Sequence, residues 1–234
     1  MSRKPRLLVV EDEVAIRSGL IDVFVYHGYE VDSAADGPEG LAKALGGRFD
    51  MILLDVMLPG MDGFEICDRI RARDRDQPLI LLTAKSADED IIRGLSLGAD
   101  DYVAKPFSVA QLVLRVEAVL RRSRPFAAEE GEIRLGDGVA VDTRNLQGRN
   151  GAATHAFTRR EIELLQYLHA NRQRPVSRGE LLHKVWGYAS HLDLETRTVD
   201  IHVAKLRRKI EPTPADPRFL VTVRGAGYRL LSGD

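Results

Sequence analysis

The first half of the chain alternates short, uninterrupted apolar segments with segments of helical periodicity. Residues 7–10, 51–54 and 79–82 consist only of Leu, Val, Ile and Met, which is typical of strands buried on both faces. Residues 30–34 and 102–104 are weaker strand candidates. Helical periodicity occupies residues 14–27, 38–46, 63–73, 88–97 and 109–121. This alternation predicts an α/β fold, a doubly wound five-stranded parallel sheet with helices on both faces.

The pattern changes after residue 122. Residues 123–131 mix Pro, Ala and Glu without periodicity, which is typical of a linker. Short alternating segments and a glycine-rich hairpin then predict an α+β domain with a small antiparallel sheet. The strands are predicted at 132–135, 139–142 and 145–147, the helices at 159–170, 177–186 and 196–210, and the hairpin at 219–231. We therefore predict two domains, residues 1–122 and 132–234, joined by a linker over 123–131.

The net charge of −1 conceals an uneven distribution of charge. Residues 1–130 contain 17 basic and 23 acidic side chains, whereas residues 131–234 contain 17 basic and 12 acidic ones. An acidic half joined to a basic half suggests that the basic half meets a polyanion, although scattered surface charge is the alternative.

Several sequence features favour a cytoplasmic protein without disulfides. Cys67 is the one cysteine, and no Cys/His cluster has zinc-site spacing. No apolar segment approaches the length of a membrane span, and the first residues lead directly into a strand instead of a secretion signal. We therefore expect a reducing compartment and no membrane partner.

Charged and hydroxyl side chains follow the predicted strands at their carboxyl ends. Glu11 and Asp12 follow the first strand, Asp55 the third, Thr83 the fourth and Lys105 the fifth. Because these ends meet at one edge of a parallel sheet, the side chains should converge there. Three carboxylates need a cation, most plausibly Mg²⁺, and an aspartate beside Mg²⁺ can attack a phosphoryl group. Taken singly, each residue is equally compatible with a solvated loop or a helix cap.

Four motifs carry a resemblance to a known family. They are VVEDE at residues 9–13, LDVMLPGMDG at 54–63, LTA at 82–84 and GADDYVAKPF at 98–107. Together they resemble the receiver domain of two-component response regulators, which has a flavodoxin-like fold. The resemblance implies that Asp55 accepts a phosphoryl group from a sensor histidine kinase.

The same resemblance implies roles for the neighbouring residues. Mg²⁺ would be bound by Glu11, Asp12, Asp55 and the backbone carbonyl of Met57. Thr83 and Lys105 would contact the phosphoryl oxygens, Tyr102 would turn inward as the switch aromatic, and the bond before Pro106 would be cis.

A phosphatase that forms an aspartyl-phosphate is the enzymatic alternative. Phosphatases of the haloacid dehalogenase type carry a second Asp two residues after the nucleophile, as the general acid. Met57 occupies that position here. We therefore expect a phosphorylated switch with at most slow self-dephosphorylation and not an enzyme.

The helix predicted at 196–210 has an apolar stripe and a basic face. Val199, Val203, Leu206 and Ile210 form the stripe. The opposite face contains Arg197, Ile201, Ala204, Lys205 and Arg208, flanked by Thr198, His202, Arg207 and Lys209. A basic face alone is usually just solvated, but an exposed Ile201 would find a thymine methyl in a DNA major groove. Burial of Ile201 against a neighbouring loop is the alternative.

The second half resembles the winged-helix effector domain of the OmpR/PhoB family. The matching segments are residues 157–165, 176–182, 185–187, 197–203 and 222–228. The resemblance implies that Trp186, Arg197 and Tyr228 contact DNA phosphates and that Lys205 and Arg207 lie in or beside the groove. Arg224 at the hairpin turn could enter a minor groove. A core position for Trp186 is the alternative.

The same family implies two further partners. Promoter DNA is the expected ligand, and the loop at 187–195 corresponds to one that contacts RNA polymerase in activators. His191, Asp193 and Glu195 give no clear match there, so activation and repression both stay open. An orphan regulator that binds DNA without phosphorylation is the alternative of the same fold, and an RNA-binding or protein-interaction module is the alternative of another class.

Phosphorylated receivers of this family form homodimers through the fourth helix, fifth strand and fifth helix. A basic residue at 91 usually pairs with Glu at 111, but here these positions hold Ile91 and Gln111. We predict that Ile91 and Leu114 enlarge an apolar patch near Leu95, unless they are merely scattered surface residues. We also expect Arg115 to pair with Asp100 or Asp101, and Arg122 to face outward.

Overall fold

The computed structural model describes residues 3–84, 88–121, 131–136, 138–188 and 197–231. These residues form two compact units, divided between residues 121 and 122. Among the helices within these ranges, none is both long enough and apolar enough to cross a membrane.

The first unit alternates five strands with five helices. Their bounds are β1 Arg6–Val10, α1 Val14–Tyr26, β2 Glu30–Ala34, α2 Gly37–Gly46, β3 Met51–Asp55, α3 Gly63–Arg73, β4 Leu79–Thr83, α4 Asp88–Leu97, β5 Asp101–Ala104 and α5 Val109–Arg121. All strand pairs are parallel, in the order β2-β1-β3-β4-β5. This architecture confirms the predicted doubly wound α/β fold.

Burial on both faces of the sheet explains the uninterrupted apolar segments. Every residue of β3 and β4 is buried, because helices cover each face. At the carboxyl end of β3, the chain turns closely into α3. A side chain in place of Gly63 would bring its Cβ within 2.1 Å of the Asp55 carbonyl oxygen. Gly63 therefore permits α3 to begin directly beside the predicted phosphoacceptor.

The second unit contains a four-stranded antiparallel sheet, three helices and a carboxyl-terminal hairpin. Their bounds are β6 Glu132–Arg134, β7 Val139–Asp142, β8 Gln147–Asn150, β9 Ala153–Ala156, α6 Arg159–Ala170, α7 Arg178–Lys184, α8 Arg197–Ile210, β10 Leu220–Val223 and β11 Gly227–Leu230. The sequence-based prediction of an α+β winged-helix domain is confirmed.

Strand β8 begins later than predicted, and strand β9 was not predicted. A strand was predicted at 145–147, but Asp142 accepts hydrogen bonds from the backbone N–H groups of Arg144 and Asn145, which forms a turn there. The strand consequently begins at Gln147. The β9 strand was missed because its sequence, Ala-Thr-His-Ala, has no large apolar side chain to mark an inward face.

Candidate functional site

Three carboxylates meet at the carboxyl edge of the parallel sheet, as the strand order requires. Oxygen atoms of Glu11, Asp12 and Asp55 all lie within 4.8 Å of one another. Glu11 and Asp55 are buried, whereas Asp12 is exposed. Lys105 follows β5, and its Nζ lies 2.8 Å from Glu11 Oε1 and 2.8 Å from Asp55 Oδ2. The structure thus brings together four of the predicted site residues from the carboxyl ends of three strands.

The electrostatics of this cluster favour an added cation. Burial raises the pKa of Glu11, and repulsion from Asp55 raises it further, while Lys105 partly opposes both effects. Burial would lower the pKa of Lys105, but its hydrogen bonds to Asp55 and Glu11 outweigh burial and raise it. The Lys105 ammonium contacts two of the three carboxylates and supplies a single positive charge to the cluster. An all-oxygen donor set with surplus negative charge fits a hard divalent ion such as Mg²⁺.

The remaining predicted residues of this site lie nearby. Thr83 is buried at the end of β4, and its carbonyl oxygen accepts a hydrogen bond from the Lys105 backbone N–H at 2.7 Å. Met57 donates its backbone N–H to Asp55 Oδ1 at 3.1 Å, while its side chain is 53% exposed. Tyr102 is buried, as expected of an inward-turned ring, and the bond between Lys105 and Pro106 is cis.

One residue of this site was missed in the sequence analysis. Arg17 on α1 donates from Nη1 to the backbone carbonyl oxygens of Glu11, at 2.6 Å, and Asp12, at 2.9 Å. It therefore supports the loop that carries two of the three carboxylates. An arginine one turn into a helix gives no sequence signal of such a contact.

The predicted dimer face contains two exposed and several buried residues. Gln111 and Leu114 are exposed on α5, with Leu114 at 40%. Arg115 donates to Asp101 Oδ2 at 2.5 Å within the same chain. The side chain of Ile91 and the whole of Arg122 lie outside the described residues.

Three residues assigned to the dimer face are corrected, and one of them is Asp101, whose side chain is fully buried. Leu95 is fully buried because α4 packs on the sheet, and Asp100 is 5% exposed. Asp100 accepts hydrogen bonds from Arg71 and from the backbone N–H of Leu79. All three side chains therefore point into the first unit.

Among the predicted DNA-contacting residues of the second unit, the accessible basic side chains lie on α8 and at the hairpin turn. Arg208 and Ala204 are exposed, and Arg197 is half-buried. Arg207 is half-buried and donates to the Leu220 carbonyl oxygen. Arg224 is exposed between β10 and β11.

Four residues predicted on the DNA-facing side of α8 are instead buried. They are Thr198, Ile201, His202 and Lys205. The buried sector of the helix is wider than the four-residue apolar stripe, because α8 packs against α6, α7 and β8. The prediction that Ile201 is exposed is therefore wrong, and the alternative of burial is correct.

Buried partners explain the positions of Lys205 and His202. Lys205 Nζ lies 3.2 Å from Glu161 Oε1, and Lys209 Nζ lies 2.5 Å from Glu161 Oε2. Burial would raise the pKa of Glu161, but these two lysines lower it to about 2. The ring of His202 stands edge-on to Trp186, with centroids 5.1 Å apart, and burial lowers its pKa to about 4.

Trp186 and Tyr228 also lie inside the second unit. Trp186 is fully buried and Tyr228 is 4% exposed, so neither presents its ring to a phosphate in this structure. Trp186 packs beneath the guanidinium of Arg160 as well as beside His202. The alternative of a core position for Trp186 is correct. The Tyr228 hydroxyl donates to Asp200 Oδ1 at 2.6 Å.

Comparisons with known proteins agree with this division of the chain. Residues 7–117 match the response regulator receiver domain, and residues 152–230 match the C-terminal domain of transcriptional regulatory proteins. The sensory transduction protein RegX3 of Mycolicibacterium smegmatis is 42% identical over 96% of this chain and 98% of its own length. The chain belongs to the OmpR/PhoB family of two-component response regulators.

Solved structures of family members are similar over both units. A RitR mutant matches with a TM-score of 0.71 and 28% identity over 98% of this chain and 100% of its own. DrrB, described as an OmpR/PhoB homologue of Thermotoga maritima, matches with a TM-score of 0.52 and 30% identity over 97% and 99%. As a response regulator with a receiver and a DNA-binding domain, the protein acts in transcription regulation.

Proposed function

We propose that Asp55 accepts a phosphoryl group from a sensor histidine kinase, and that this modification controls dimerisation and binding to promoter DNA. The observation that carries this proposal is the contact between the Lys105 ammonium and the Asp55 carboxylate inside the three-carboxylate cluster. A nucleophile, a fixed cation and a set of metal ligands are the groups that phosphoryl transfer to a carboxylate requires.

In the transfer step, an Asp55 carboxylate oxygen forms a bond to phosphorus. The bond from phosphorus to the histidine nitrogen of the donor breaks, and its electron pair leaves with the imidazole. Lys105 lies close enough to Asp55 Oδ2 to pair with the transferred oxygens, and the Thr83 hydroxyl is expected to donate to them. When bound by Glu11, Asp12, Asp55 and the Met57 carbonyl, Mg²⁺ supplies the charge that neutralises carboxylate and phosphoryl oxygens.

We propose that the protein is a switch and not an enzyme. Met57, two residues after the nucleophile, can neither protonate a leaving group nor deprotonate a water that attacks the aspartyl-phosphate. The aspartyl-phosphate should therefore persist, with at most slow self-dephosphorylation.

Phosphoryl uptake tests this function directly. The full chain is incubated with acetyl phosphate, with Mg²⁺ or with a chelator, and intact mass is measured. We expect uptake only with Mg²⁺, and none in Asp55→Asn. The matched control is Asp68→Asn, an exposed residue of α3, which should take up phosphate normally. Uptake by Asp55→Asn at the wild-type level would contradict the assignment.

The second unit is proposed to bind duplex promoter DNA, with RNA polymerase as a further partner. Exposed or half-exposed Arg197, Arg208 and Arg224 support this, because basic side chains on a helix and a hairpin can contact the same phosphate backbone. Genome-wide occupancy with wild type and Asp55→Ala separates a phosphorylation-dependent regulator from an orphan one. Equal occupancy would favour the orphan regulator.

A further inference from the structure

The hairpin β10–β11 is attached to α8 along one edge of that helix. Asp200 and Arg207 lie seven residues apart, which is two helical turns, so their side chains project from the same edge. Both contact the hairpin, Asp200 at β11 and Arg207 at β10. Neither contact follows from a need to bury apolar surface.

The contact at Asp200 involves three elements of the second unit. Its Oδ1 accepts hydrogen bonds from Arg178 Nε on α7 and from the Tyr228 hydroxyl on β11, both at 2.6 Å. Arg178 Nη2 also donates to the Tyr228 hydroxyl, at 3.0 Å, and its guanidinium lies 4.7 Å from the centroid of the Tyr228 ring. Asp200 thus joins α8 to both α7 and the hairpin.

Backbone contacts also hold the hairpin at this point, next to its turn. Tyr228 and Val176 exchange two backbone hydrogen bonds, at 2.8 and 2.9 Å. Gly227 has a φ of 120°, and a Cβ there would lie 2.1 Å from the Val176 carbonyl oxygen. The hairpin therefore meets the segment before α7 closely, and Arg178 carries this attachment on to α8.

The second contact lies at the other end of the same edge. Arg207 donates from Nε to the Leu220 carbonyl oxygen and from Nη2 to Thr222 Oγ1, both at 2.8 Å. A basic side chain that is used in this way is not directed at a phosphate. Arg208, the next residue, is exposed and carries the same charge.

An acidic residue beside Arg197 would be expected to weaken DNA binding by repelling phosphates. Asp200 is one turn after Arg197, and its side chain is 42% exposed. Its charge is neutralised by Arg178, and its position suits attachment of the hairpin better than contact with DNA.

We propose that Asp200 and Arg207 are positioning residues for DNA binding, which hold the hairpin at the angle where its tip and α8 contact one duplex together. This proposal rests on the proposed DNA binding. It predicts that the contribution of Arg224, at the hairpin tip, depends on both residues, although neither of them touches it in the described contacts.

Double-mutant cycles test this dependence. The probe is the duplex that the acetyl-phosphate-treated full chain selects from a random pool, and the dissociation constant is measured for each variant. We expect Arg224→Ala to weaken binding about tenfold in the wild-type background. In the Asp200→Ala and Arg207→Ala backgrounds, the same change should weaken binding less than about threefold.

Two matched controls carry the same changes of charge elsewhere in the second unit. Asp216→Ala removes an exposed aspartate between α8 and β10, and Arg208→Ala removes an exposed arginine of α8. In both backgrounds Arg224→Ala should keep its tenfold effect. If the losses also multiply in the Asp200 and Arg207 backgrounds, the proposal is wrong.

Tyr228→Phe keeps the test valid should Asp200→Ala fail to fold. It removes only the hydroxyl and should likewise reduce the effect of Arg224→Ala, whereas an unchanged tenfold effect would overturn the proposal. Fluorescence of Trp186, the single tryptophan, monitors folding of the second unit in every variant. Failure of the underlying DNA assignment gives a different result, because Arg197→Ala and Arg224→Ala would then leave binding unaltered in every background.

Discussion

In the first unit, the charged side chains of the site lie at the carboxyl ends of strands, whereas in the second unit they lie along a helix. Strand order brings Glu11, Asp55 and Lys105 together, although up to 94 residues separate them in the chain. On α8, by contrast, Lys205 is buried while Arg208, three residues on, is exposed. A residue at a parallel-strand end has one edge to occupy, but a helical residue faces water or protein according to how its neighbours pack.

The largest effect is expected at Trp186 in the second unit. If this residue is a core aromatic, Trp186→Ala should destabilise the second unit by about 3–5 kcal/mol, because it leaves a large cavity. Urea denaturation followed by circular dichroism measures the loss. Trp186→Phe is the conservative comparison and should cost clearly less. If Trp186→Ala unfolds like the wild type but binds DNA weakly, the result would instead support the phosphate contact predicted from the sequence.

Sequence reasoning succeeded where one geometric rule decides the outcome, and it failed where several neighbours compete. The acidic cluster followed from strand ends alone, and so did the positions of Thr83 and Lys105. Ile201 looked exposed because the apolar stripe of α8 is complete without it. Its burial depends on how α6, α7 and β8 pack around α8. The sequence pattern of α8 alone does not contain this information.

Hidden charge pairs limit prediction for a second reason. Glu161 is the third residue of α6, where acidic side chains are common as part of a capping box, and that role is present. Its ion pairs with Lys205 and Lys209 come from residues more than forty positions away. Arg17 is similar, because its partners are backbone carbonyl oxygens that any residue offers.

The buried histidine provides the next largest effect. Burial lowers the pKa of His202 from 6.5 to about 4, so the unfolded chain binds a proton that the folded second unit does not. Stability from this residue is present above pH 6.5 and is lost as the pH falls toward 4, by roughly 3 kcal/mol. Urea midpoints from Trp186 fluorescence between pH 7 and 4 measure it.

A matched variant isolates the histidine. His202→Asn can keep a donor for the Thr198 carbonyl oxygen, which now accepts from Nδ1, but it does not titrate in this range. Its pH dependence between 6.5 and 4 should be flatter than that of the wild type. Equal slopes would place His202 in contact with solvent and return it to the set of DNA-facing candidates.

Along α8, DNA binding and the stability of the second unit should depend on different residues. Arg197→Ala should weaken binding to all duplexes and reduce the salt slope by about one unit, because a phosphate contact is lost. Lys205→Ala should instead lower the stability of the second unit and leave sequence preference unaltered, since its ammonium faces Glu161. Filter binding across salt concentrations and unfolding measurements separate the two effects. A change of base preference by roughly 1–3 kcal/mol in Lys205→Ala would show that this lysine reaches the groove.

The smallest effect is expected at the proposed dimer face of the first unit, where Ile91 and Gln111 replace the ion pair usual in the family. Leu114 is exposed there, and Arg115 is already paired with Asp101 within its own chain. An exposed ion pair contributes about 0–1 kcal/mol, so exchanging one for apolar contact need not weaken the dimer. We therefore expect a phosphorylated dimer that changes little between low and high salt in analytical ultracentrifugation. Leu114→Ala should weaken it, whereas Val25→Ala, at an exposed position on α1, should not. Steep dissociation with salt would show that charged pairs still hold the dimer, and indifference to both Ile91→Lys and Leu114→Ala would remove the apolar patch from the interface.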